Sequence, residues 1–237
     1  MFQTDPFSLI VLFVGLSLLP FVAMIATSYL KIVVVMSLIR NALGIQSIPP
    51  NMVINALAMI LTFYIMAPIM GESWNIAKAE LAKGPAAVAG APRPAGGAQS
   101  AAAPEARWFE TDAVAKAAEP FRTFLAKHTA PRERAFFVNT AEQLWGKDGE
   151  PATVDADSFY ILIPSFCVSE LTKAFQIGFL VYLPFIAIDI IVSNILLAMG
   201  MMMVSPVTIS LPFKLLLFVM VNGWTLLIQG LVRGYVI

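Results

Sequence analysis

Long uncharged apolar runs flank a single polar block along this chain. No charged residue occurs from Pro6 to Leu30, Asn41 to Gly71, Ala174 to Ile188, Ile190 to Phe213 or Leu215 to Val232. About 20 apolar residues span a roughly 30 Å hydrocarbon layer as a helix, so several of these runs predict apolar helices of spanning length. The run from Ala174 to Ile188 is too short, and Pro184 inside it predicts a break, unless Asp189 is admitted to its end. The predicted fold is all-α: about four apolar helical segments arranged as polytopic, membrane-type hairpins, with a small helical soluble insertion. Residues 1–71 form the N-terminal apolar hairpin, 72–157 the polar insertion, and 158–237 the C-terminal hairpins.

Charge is concentrated in the insertion. Residues 72–157 hold ten basic and twelve acidic side chains, 22 of the chain's 30 charges, which marks a water-exposed region between two apolar halves. Within it, Gly84 to Pro104 is built almost entirely from Ala, Gly and Pro, offers little to pack, and reads as a flexible linker. The stretch that follows is rich in helix formers. Thr111 or Asp112 is available as an N-cap and Phe121, Phe124 and Leu125 stand at helical spacing, predicting one to three short helices. His128 reads there as a solvated or partly packed helix residue.

Composition narrows the function classes. The 237 residues are 59% hydrophobic and 13% charged, with mean hydropathy +0.80, which describes a membrane protein rather than a soluble globule. Basic and acidic residues balance at fifteen each, so no nucleic-acid surface is indicated. A lone cysteine, Cys167, and a lone histidine supply no zinc or Cys/His catalytic set, and phosphate-binding and nucleophile-elbow patterns are absent. No catalytic residue, metal site or cofactor is expected. The first apolar run has no basic residue before Lys31 and no small-residue cleavage site, so it reads as retained rather than cleaved. Lys31 and Arg40 fall between the first two apolar runs, which predicts a cytoplasmic loop there and places the 72–157 insertion on the opposite, periplasmic side.

Only five charges follow Asp157: Glu170, Lys173, Asp189, Lys214 and Arg233. Ionisable groups at membrane depth need partners or water. Glu170 and Lys173, three apart, share a helical face; they are either an interfacial pair at a helix start capped by Ser169 or a functional pair. Asp189 and Lys214 each stand alone between apolar runs, 25 residues apart. Folded as a helical hairpin, the chain brings them opposite each other, with the midpoint between Met201 and Met202 and Gly200, Ser205, Pro206 and Pro212 available to break helix around the apex. The alternative for this pair is a proton relay.

Met199, Met201, Met202 and Met203 crowd that apex. Three readings stand open for Met201, Met202 and Met203. They fill gaps in an apolar core. They bind a soft ion such as Cu(I), although neighbouring residues on a helix or strand diverge too much to converge on one ion. Or they form a compliant closure, where flexible side chains from several copies meet and part when something large passes.

The stretches "TSYLKIVVVMSLIRNALGIQSIPPN" and "LIPSFCVSELTKAFQIGFLVYLPFIAIDIIVSNILLAMGMMMVSPVTISLPFKLLLFVMVNGW", in that order, resemble the R subunit of the bacterial type III secretion export apparatus, which is similar to the flagellar P protein. The resemblance covers Ile10 to Met70 and Phe159 to Tyr235. It implies a non-enzymatic core subunit of the export gate, through which unfolded substrate proteins leave the cytoplasm at the inner membrane. It implies a homo-oligomer, expected to be a pentamer, assembled helically with the S and T subunits and associated with the U and V components. It implies too that the apolar segments sit as tilted hairpins within a protein complex raised toward the periplasm. Met201, Met202 and Met203 then match the methionine loop that forms a gasket around the closed pore, Asp189 and Lys214 match a charged pair within the hairpins, and Glu170 and Lys173 belong to the signature "SELTKAFQIGF" with a structural or subunit-contact role.

Two features depart from that pattern. The Gly84 to Pro104 stretch looks like an insertion, and Asn222 stands where many members carry Asp. The retained first segment favours the virulence-type injectisome over the flagellar branch. Against the export gate stand two other classes: a proton-coupled or small-solute transporter, motivated by the same intramembrane charges, and a Cu(I)-binding membrane protein.

Overall fold

The computed structural model describes residues 6–45, 48–82, 111–146 and 153–236; the Ala/Gly/Pro linker at 84–104 lies outside them. Among the described residues all regular structure is helical: α1 (Pro6–Ile25), α2 (Tyr29–Ala42), α3 (Asn51–Ala82), α4 (Thr111–His128), α5 (Pro131–Trp145), α6 (Phe159–Ala198), α7 (Pro206–Met220) and α8 (Gly223–Arg233). The chain is a membrane protein. α3, over Asn51–Glu80, and α6 are each long and apolar enough to cross a bilayer, and α1 with α2 and α7 with α8 form bent pairs, at 57° and 58°, that bring the spans to four if each pair counts as one.

Helical periodicity explains the packing. On α2 the buried residues are Lys31, Ile32, Val35, Met36, Ile39 and Ala42, the three-and-four spacing that lines one face. That face lies against α6, where Ala174 and Gly178 let the two backbones approach. A Cβ added at Gly178 would meet Leu38 Cδ1 at 2.3 Å, so the contact requires glycine unless Leu38 shifts. The resulting core holds Ile32, Val35, Met36, Ile39, Ile54 and Ala58 from the first half of the chain together with Ala174, Phe185, Phe218 and Leu227 from the second. Burying side chains of this size stabilises the chain by about 1.5–3 kcal/mol each relative to exposure.

The insertion packs onto this helical frame through a second apolar cluster. Phe124 and Leu125 of α4 meet Met66 of α3, Leu162 and Phe166 of α6, and Tyr235 just beyond α8. The division expected after residue 71 falls inside α3, which runs on through Glu72 to Ala82 and carries α4 along its length.

Three local expectations are corrected by the structure. Pro184 does not break a segment: α6 is one 40-residue helix that passes through both Pro164 and Pro184. A proline removes one backbone bond, a local cost that burial of Phe166, Ala174 and Phe185 against neighbouring helices offsets. Lys31 and Arg40 do not lie in a loop but on α2, with Lys31 in its buried face. Ser169 caps no helix start; it is buried in mid-helix, where its hydroxyl donates to Ser165 O at 2.8 Å and accepts from Ala130 N at 2.9 Å.

Candidate functional site

α6 ends by a device legible in its glycine. Gly200 adopts φ +74°, a left-handed conformation that costs other residues a Cβ clash. Its N–H donates to Leu197 O at 3.0 Å and that of Met201 to Leu196 O at 2.9 Å, a Schellman motif that satisfies the last carbonyls of the helix. α7 restarts at Pro206 after Ser205, while Pro212 lies inside α7 rather than in the turn. The loop between carries Met201, Met202 and Met203 at 41%, 81% and 101% exposure, so none of the three packs into this chain's own core.

Below the loop, α6 and α7 are joined by charge. Lys214 Nζ lies 2.6 Å from Asp189 Oδ2 and donates to Ala42 O, the last residue of α2, at 3.3 Å. Ser210 donates to the other carboxylate oxygen, Asp189 Oδ1, at 2.5 Å. Lys214 and Ser210 are buried while Asp189 keeps about a third of its side chain exposed, at 32%. A lysine at a helix C-terminus also meets the negative end of the helix dipole, so the Ala42 contact adds to the ion pair.

A second charged junction lies about 28 Å back along α6, at 1.5 Å per residue over the nineteen positions from Glu170 to Asp189. The Glu170 carboxylate is fully buried and surrounded by donors. Lys31 Nζ is 3.0 Å from Oε2, Lys173 Nζ is 2.9 Å from Oε1, and the Tyr235 hydroxyl donates to Oε2. Lys31 also sits over the Tyr235 ring, 3.6 Å from its centroid. Lys173, half-buried, donates to His128 O at 2.7 Å, which pins the end of α4 to α6. Four parts of the chain, α2, α4, α6 and the segment after α8, therefore converge on one acid.

His128, expected to be solvated or partly packed, is buried, its ring against Phe124 and Tyr235 at 4.7 and 5.1 Å between centroids. Burial in this aromatic pocket pushes its imidazole down to about 4, opposed by Glu170 and reinforced by the charges of Lys173, Lys31 and Lys127. His128 is neutral at pH 7. Burial first, and then the facing Glu170 carboxylate, push the Tyr235 phenol above its ordinary range, so it stays protonated and donates.

The structure thus brings Asp189 to Lys214 and Glu170 to Lys173, and sets the three methionines apart from both pairs at the exposed tip. Sequence reasoning missed Lys31, Tyr235 and Ser210. Two of these carried a signal: Ser210 precedes Lys214 by one helical step in the stripe Ser210, Lys214, Phe218, and Tyr235 continues the stripe Leu227, Leu231. Lys31 had only its place on the apolar face of α2, because its partner lies 139 residues away, at Glu170.

Fold and site together define a helical membrane protein whose longest helix carries two acids, each drawing distant helices together, and ends in a protruding methionine loop. The chain belongs to the FliP family, which matches residues 12–231. It is 46% identical over 235 residues to Yop proteins translocation protein R of Yersinia pestis, covering 98% of this chain and 97% of that one. To the hypersensitivity response secretion protein HrcR of Ralstonia nicotianae it is 46% identical over 228 residues, 96% of each chain. To the flagellar biosynthetic protein FliP of Bacillus subtilis it is 37% identical over 227 residues, 96% of this chain and 90% of that one.

Proposed function

We propose that this chain is a core subunit of the type III secretion export gate, forming part of the protein-conducting pore for unfolded substrate proteins at the bacterial inner membrane. The observation that carries the reading is the exposed methionine loop at the tip of the α6–α7 hairpin in a member of the FliP family. The Yersinia and Ralstonia relatives are named for translocation and secretion, and that language supports a gate subunit over a solute transporter. In this reading several copies of the chain, five by the resemblance, assemble with the S and T subunits and meet the U and V components, with the polar insertion on the periplasmic side. The subunit works by shape and carries no catalytic step.

The mechanism follows from the loop. Met side chains are unbranched and polarizable, so copies from neighbouring subunits can interdigitate to seal a narrow aperture and yield to a passing chain without a fixed geometry to break. Gly200 and Pro206 fix where the loop begins and ends, and the Asp189–Lys214 pair holds its two stems together. The Glu170 junction braces the base of the same helix against α2, α4 and the C-terminal segment.

Replacing Met201, Met202 and Met203 by alanine in the assembled complex tests the gasket. Ion leakage through reconstituted complexes rises if the loop seals the pore; unchanged leakage together with unchanged secretion removes the gasket role. Mass measurement of the native complex checks the copy number.

A further inference from the structure

The Asp189–Lys214 pair joins α6 to α7, but the groups around it reach further. We propose that Ser210 is a positioning residue for the methionine loop, orienting Asp189 so that Lys214 latches the α6–α7 hairpin onto the last carbonyl of α2. The proposal rests on the export-gate reading for what the loop does, though not for the latch itself.

Ser210 is fully buried, and its single proton has two acceptors within reach. Asp189 Oδ1 is at 2.5 Å and Val207 O at 3.2 Å. The nearer acceptor is charged, so it takes the proton, because hydrogen bonds to carboxylates are shorter and stronger than those to neutral carbonyls. With Oδ1 held by Ser210, the carboxylate presents Oδ2 to Lys214 at 2.6 Å. The buried ammonium then has Ala42 O, at 3.3 Å, as its other partner. Alternative rotamers of Asp189 would break the Ser210 bond and leave Lys214 with the α2 carbonyl alone.

Position along α7 makes this bond the one closest to the loop. Ser210 lies four residues after Pro206, about 6 Å up the helix, whereas Lys214 lies about 12 Å up. The same corner is close on a second side: Gly44, with φ +78°, follows the end of α2, and a Cβ built there would lie 3.8 Å from Val207 in the first turn of α7. The end of α2 therefore faces the start of the loop's second stem. Lys214 and the Ala42 carbonyl make the polar link there, and Ser210 reaches it through Asp189.

The test uses the full complex with partner subunits. Ser210→Ala removes the hydroxyl that orients Asp189 while keeping both members of the ion pair in the chain, and mass measurement of the complex confirms that it assembles. It should raise the conducting fraction about tenfold, which corresponds to about 1.4 kcal/mol, near the lower end for a hydrogen bond to a charged group. Nitroxide labels on Met203→Cys and Ile48→Cys, in a Cys167→Ala background, read the loop's position relative to the α2–α3 turn independently of any pore. Ser210→Ala should broaden that distance distribution. An unchanged distribution overturns the latch, as does unchanged leakage in Ser210→Ala when the triple methionine-to-alanine variant leaks. If the methionine variant itself does not leak, the gasket reading falls and the distance measurement alone decides the latch.

Discussion

The two charged junctions on α6 share one plan and differ in completeness. Each centres on an acid of α6, and each has a lysine that also bonds the terminal carbonyl of another helix, Lys214 to Ala42 of α2 and Lys173 to His128 of α4. Glu170 is fully buried and receives three side-chain donors, Lys31, Lys173 and Tyr235. Asp189 is a third exposed and receives two, Lys214 and Ser210. A carboxylate withdrawn from water is stable only when its lone pairs are taken up, so the junction deeper in the protein needs more partners. The junction with the wetter acid sits beside the part of the chain proposed to move, while its lysine, Lys214, is as buried as Lys31.

The sharpest way to break the comparison is to delete each acid. Glu170→Ala leaves Lys31 buried with only the Tyr235 ring and deprives the Tyr235 hydroxyl of its acceptor, for an expected loss of about 3–5 kcal/mol. Asp189→Ala falls at the lower end of that range, about 3 kcal/mol, because it leaves Lys214 buried but still with Ala42 O as an acceptor, and Ser210 keeps Val207 O. Unfolding midpoints and complex yields of the two variants check the order; equal losses would mean that the two junctions are equally buried in the assembled protein.

Acid should separate the junctions next. His128 is neutral in the fold with its imidazole lowered to about 4, whereas an unfolded histidine titrates near 6.5. The unfolded state therefore binds the extra proton first, and stability present above pH 6.5 is lost as pH falls toward 4, by up to about 3 kcal/mol. His128→Phe, which keeps an apolar ring against Phe124 and Tyr235 and leaves the backbone carbonyl for Lys173, should remove this part of the pH dependence. An identical slope in the variant between pH 6.5 and 4 would assign the acid sensitivity elsewhere.

The smallest change tests one bond. Tyr235→Phe retains the ring under Lys31 and against His128 while removing the donor to Glu170, for an expected loss of about 1.5 kcal/mol. The unfolding midpoint reads it, and no loss would show that the two lysines satisfy Glu170 without the phenol.

Much of the architecture is legible in the sequence. Charge-free runs of spanning length announce apolar helices because a buried helix tolerates no unpaired charge. A glycine followed within six residues by Ser-Pro announces a helix end and a new start, and both fall where expected, at Gly200 and Pro206. Hairpin symmetry about that turn is enough to set Asp189 against Lys214, because residues equidistant from an apex meet. Local breakers were less reliable. Pro184 and Pro164 lie within α6, and Ser169, read as a cap, bonds across to Ala130, because tertiary packing outweighs the local preference of one residue.

The sequence by itself determined the helical class, the apolar segments, the methionine turn and the pairing of charges symmetric about it, since each follows from periodicity or from separation along one continuous hairpin. Only the tertiary structure decided that Lys31, Tyr235 and His128 gather at Glu170 and that Lys214 also holds the end of α2. Those contacts join residues between 45 and 204 positions apart, from the His128–Lys173 bond to Lys31 over the Tyr235 ring. No local pattern encodes a meeting at that distance; it is settled by which apolar faces pack, and the charges are carried there with them.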